Sequence, residues 1–147
     1  MKAVHLVVGV LCIALMGGTT LWGAWCWRRV RASRLFWRLL RAGQALVVLQ
    51  IALGGVLVLL GYKESSLHLI YGLLPLLVSL MGEQLRIASA QVVLDSRGYQ
   101  SSAEVGGLPE SEQRQVVVAI LQRELGVMVL AALVTVVLLA RAAGTAG

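Results

Sequence analysis

The chain has 147 residues, 59% hydrophobic and 14% charged, with a formal net charge of +6 and two cysteines. Its apolar residues come in long blocks, a composition that excludes a water-soluble globular domain and leaves no room for a second domain beside them. The positive charge borders those blocks instead of forming a separate polar segment, so an anionic lipid surface is the expected partner and nucleic acid is not.

A bilayer core of roughly 30 Å takes about 20 predominantly apolar residues as helix. Four stretches approach or meet that length, at about 3–27, 42–61, 67–94 and 110–141, separated by polar loops at 28–41 and 95–109. The expected fold is an all-α integral membrane protein, a single four-transmembrane-helix bundle spanning 1–147 and crossing the cell membrane several times.

The first span opens with HLVVG at residues 5–9 and ends at Trp27. Its apolar run is longer than a usual signal-peptide core, only Lys2 precedes it, and the arginines follow it, an order that favours a retained anchor. Cys12 and Cys26 stand on this one helix about 21 Å apart at 1.5 Å per residue, too far for a disulfide. Neither has metal-type spacing, and both read as small apolar side chains.

Arg28, Arg29, Arg31, Arg34, Arg38 and Arg41 fill the first loop, which the positive-inside rule places in the cytoplasm. Arg86, Arg97, Arg114 and Arg123 fall on the same side, so both termini are expected outside. Trp22, Trp25, Trp27, Phe36 and Trp37 form an aromatic belt at that inner surface.

The second span carries Gln50, a polar side chain that needs a partner in hydrocarbon, followed by Gly54-Gly55. The third opens with HLIYG at residues 68–72 and keeps a helical pattern past Gly82, and the fourth starts early, at Pro109 with Glu110 behind it. These two helices are expected to project together into the cytoplasm, where Glu83, Arg86, Arg123 and Glu124 pair across them. The Gly/Ser-rich connection 95–109 reads as a mobile loop and the tail 142–147 as disordered.

His5 and His68, the only histidines, open two helices that run in the same direction, so any four-span arrangement sets them at matched depth on one side. Ionisable groups inside spans are costly and usually face the bundle interior or a site. Paired imidazoles on facing helices of a bundle suit an iron porphyrin held from both sides. Gly9 and Gly72 stand four residues after each histidine, on the same helix face, where a missing Cβ leaves room for a flat macrocycle. Close packing of helices through small residues accounts for the glycines equally simply, but does not call for histidine. Lys2, Lys63 and Tyr71 lie at the same end, placed to meet propionates or simply to solvate the interface.

The run LVVLQIALGGVLVLLG, a short loop and LHLIYGLL together resemble the heme A synthase family. In that family a Gln…Leu-Gly-Gly helix precedes a helix opening with a heme-ligating His, and an earlier helix supplies the second His. Gln50, Leu53, Gly54, Gly55 and His68 match the second and third elements, and His5 with its helix ending in Trp27-Arg28-Arg29 matches the first, so about residues 1–82 are covered. There is one bundle where the family has two, and Lys2 stands where the catalytic half carries a Glu. The outer-loop cysteine pair of many members is absent, and the completing helix comes last. The resemblance therefore implies the non-catalytic half, holding heme b between His5 and His68.

The resulting expectation is a bis-histidine heme b protein in electron transfer or heme handling, with a membrane redox or respiratory partner, and not itself a heme-modifying enzyme. Its cofactor-binding set is His5, His68, Gly9, Gly72, Gln50, Gly54, Gly55, Tyr71, Lys2 and Lys63, with the two histidines as iron ligands. The alternative is a cofactor-free accessory or assembly subunit of a larger membrane complex, its His and Gly residues serving packing. Gly-rich helix faces also permit a homodimer.

Overall fold

The computed structural model describes residues 1–63 and 65–145; Glu64 in the second connection and Ala146 and Gly147 in the tail lie outside the described residues. The chain forms α1 (Lys2–Arg28), α2 (Arg34–Leu59), α3 (Ser66–Ser96), a short α4 (Ser102–Gly106) and α5 (Glu110–Gly144). α1, α2, α3 and α5 are each long and apolar enough to cross a bilayer. The protein is a multi-pass integral membrane protein built as a four-helix bundle.

α5 is the scaffold. It packs along α3 and α1, α1 also packs on α2, and α2 meets α3 only lightly. The cyclic order is thus α2, α1, α5, α3, with α1 and α3 diagonally opposite. Lipid tails are as apolar as leucine, so within the membrane the helices are held by close packing and interhelical hydrogen bonds. Gly126 lets α5 close on the Trp27 indole, where a Cβ would stand 2.9 Å from Nε1, and Gly82 lets α3 close on Ala131 at the same distance. Around these contacts Met16, Phe36, Leu40, Leu125, Met128, Val129 and Ala132 form the main core.

A second core, of Val93, Leu94, Val105 and Val116, lies where α3 and α5 continue past the belt of tryptophans. The segment expected as a mobile loop is organised around it. α4 buries Val105, and the Gln113 amide donates to the carbonyls of Gly106 (3.1 Å) and Leu108 (2.8 Å). Such a cluster outside the bilayer is stabilised by exclusion of water, a driving force the transmembrane core lacks.

The first loop is also shorter than expected. α2 begins at Arg34, capped by Ser33, whose Oγ accepts from the Phe36 N–H at 3.2 Å. The apolar block starts later, but arginine and leucine are good helix formers and the helix need not stop at the membrane surface.

α1, α2 and α3 end with the same device. The N–H of Arg31, Tyr62 and Tyr99 donates to the carbonyl five residues earlier, of Cys26 (2.9 Å), Leu57 (3.1 Å) and Leu94 (3.0 Å). The residue before each donor is left-handed: Val30 (φ 48°), Gly61 (φ 84°) and Gly98 (φ 78°). Two of the three sites use the residue that tolerates this conformation, and Val30 bears steric strain.

Candidate functional site

At the end of the bundle where α1 and α3 begin, each of the four long helices contributes one polar group. His5 of α1 and His68 of α3 meet across the diagonal with ring centroids 6.0 Å apart at an interplanar angle of 66°. Gln50 of α2 places its Nε2 3.2 Å from His5 Nε2, and the Ala142 carbonyl of α5 lies 2.9 Å from His68 Nδ1. The matched depth read from the sequence is therefore real.

These bonds constrain which ring nitrogens carry hydrogen. A carbonyl oxygen only accepts, so His68 carries a hydrogen on Nδ1. The Gln50 amide donates to His5 Nε2, so that lone pair is engaged and the His5 proton sits on Nδ1. Gln50 Oε1 is buried without a hydrogen-bond partner among the described residues.

The glycines act differently from the expectation. A Cβ on Gly9 would stand 2.9 Å from Gln50 Nε2, so Gly9 makes room for the glutamine and not for a ring beneath His5. The approach to His5 comes from Gly54 of α2, whose Cβ would stand 3.3 Å from His5 Cε1. Gly55 and Gly72 face open space. The i+4 spacing gave an inward face for Gly9 but not for Gly72, and the neighbour Gly9 meets depends on how α1 and α2 rotate against each other, which spacing within one helix does not encode.

The cations at this end lie on aromatic faces. Lys2 Nζ is 4.7 Å from the Tyr62 ring centre and the Arg141 guanidinium 5.6 Å from that of Tyr71, while Lys63 is exposed. Ser65 caps α3, its Oγ accepting from the His68 N–H at 3.1 Å and donating to the Thr145 carbonyl at 2.8 Å. The segment from Ala142 to Thr145, expected as disordered tail, thus closes this end of the bundle.

At the opposite end a second polar cluster joins α2 to α3. Both carboxylate oxygens of Glu83 take hydrogen bonds from Arg41, Gln44 adds one at 3.2 Å, and Arg86 adds one at 2.9 Å from its own helix. Arg86 also lies 5.6 Å from the Trp37 ring centre. The expected pairing of Glu83 with Arg86 is present, whereas its wider form is not: α2 supplies the second cation, and Arg123 and Glu124 form no ion pair among the described residues. No cluster of three or more His, Cys, Asp or Glu side chains suited to a metal ion occurs among the described residues.

No protein-family model matches this chain, and no curated protein or solved structure is similar to it at a significant level.

Proposed function

We propose that this chain is a small accessory or assembly subunit of a larger membrane complex, acting through its helix faces and not through chemistry of its own. The observation that carries this reading is that both histidines and three interior hydroxyls are bonded within the bundle itself. His5 is bonded to Gln50 and His68 to Ala142, while Thr19, Thr20 and Ser89 bond carbonyls one turn back on their own helices. Much of what the helices expose along their length is apolar. Leu69, Leu73, Leu77 and Leu80 form an exposed ridge along α3, which packs lightly on one flank. Native electrophoresis of source membranes solubilised in mild detergent tests this reading. The tagged chain should migrate in an assembly well above its own micelle, and migration alone overturns the proposal.

A second reading, heme b held by His5 and His68 in electron transfer or heme handling, is supported by the meeting of the two rings. They come from diagonally opposite helices, and a backbone carbonyl fixes His68 through Nδ1, the usual way of orienting a metal-ligating imidazole. Lys2, Lys63 and Arg141 provide cations for propionates at the same end. Against it, His5 Nε2 is engaged by Gln50, so ligation through that atom needs the bond to break. If bound, heme would be held by His5 and His68 and would supply one-electron chemistry.

A further inference from the structure

We propose that the seam between α2 and α3 at the arginine end binds one anionic phospholipid, with an acyl chain in the crevice and the phosphate on the arginines at its mouth. The seam is the loosest between neighbouring long helices. It contains a crevice of about 180 Å³ whose walls include Val47 and Val48 of α2 and Leu76 and Leu80 of α3. Gln44 and Glu83 close it at one end, where the Arg41 clasp crosses from helix to helix.

Charge selects the occupant. Arg34, Arg38 and Arg41 stand at i, i+4 and i+7, one stripe of α2 that leads through Gln44 to Val48 in the crevice wall. Arg86 joins Arg41 on Glu83 from α3, and Arg38 and Arg34 continue the stripe on α2 beyond that carboxylate. Arg41 and Arg86 are partly committed to that carboxylate, whereas Arg38 makes no ion pair or side-chain hydrogen bond among the described residues. Glu83 lies about 22 Å along α3 from His68 at 1.5 Å per residue, and Arg34 stands about 10 Å beyond Arg41 on α2, so the arginine stripe reaches the far edge of a roughly 30 Å bilayer core. Trp37, beneath Arg86, belongs to the same interface. A transmembrane helix, about 10 Å across, is too thick for the crevice, and a free anion has no use for its apolar walls. A basic mouth over an apolar slot between helices suits an anionic lipid.

Native mass spectrometry of the full chain, titrated in detergent with phosphatidylglycerol or phosphatidylcholine, tests this. One phosphatidylglycerol should be retained, about tenfold more strongly than phosphatidylcholine. Arg38→Gln, which leaves the clasp intact, should reduce that preference several-fold. Val48→Trp, which fills the slot, should weaken retention of both lipids while thermal stability in detergent is unchanged. Equal retention of the two lipids overturns the proposal. So does a preference that survives Val48→Trp and is matched by glycerol phosphate, which would indicate a free-anion site. Stoichiometric co-purification of a membrane protein that Val48→Trp displaces, with no bound lipid, also overturns it.

Discussion

His68 Nδ1 donates to the carbonyl of Ala142 at 2.9 Å, joining the first turn of one transmembrane helix to the last turns of another, 74 residues later in the chain. With Ser65 bonded to Thr145 beside it, the C-terminal turn of α5 is a structural part of the bundle. Interhelical hydrogen bonds in membranes average about 0.6 kcal/mol and reach about 1.7. His68→Phe should lower stability within that range, measured by unfolding in mixed micelles. Removing residues 142–147 should cost at least as much, because it deletes both acceptors.

The same range applies to the contact between His5 and Gln50. A double-mutant cycle of His5→Ala and Gln50→Ala should give a coupling of about 0.6–1.7 kcal/mol. Additive losses would show that the two side chains act separately.

Val30 is the one non-glycine residue with positive φ among the described residues, and it occupies the position that Gly61 and Gly98 fill at the ends of α2 and α3. A left-handed L-residue costs roughly 1–2 kcal/mol, part of which glycine gives back in unfolded-state entropy. Val30→Gly should stabilise the protein by about 0.5–1 kcal/mol in the same unfolding assay, and Gly98→Val should destabilise it.

Small residues divide by what they face. A Cβ at Gly126 would press on the Trp27 indole, so Gly126→Val should cost about 1–3 kcal/mol by overpacking. Gly18 has nothing within 4 Å of its Cβ position, so Gly18→Ala should be neutral or stabilise the helix by about 0.5–1 kcal/mol. Thermal unfolding of the two variants in one detergent distinguishes them.

The spans and the pairing of His5 with His68 were legible because apolar length and helix direction are properties of each segment alone. That Gln50 needed a partner followed from a polar amide in hydrocarbon, but its choice of His5 depends on helix rotation. Ala142 was not legible at all, since a backbone carbonyl leaves no mark in a sequence. The Arg41 to Glu83 clasp was hidden for a related reason: α2 had been expected to begin after Arg41, so that arginine had no helix face from which to reach α3. The Ser65 cap, with a serine three residues before His68 at the start of an apolar run, was open to recognition and was missed.

The most direct test of whether the histidines serve the bundle alone is a reduced-minus-oxidised visible spectrum of the full chain purified from heme-supplemented cells. A colourless protein is expected, with His5→Ala and His68→Ala less stable and equally colourless. A b-type spectrum at one heme per chain, lost in both variants, would contradict this and establish the pair as axial ligands.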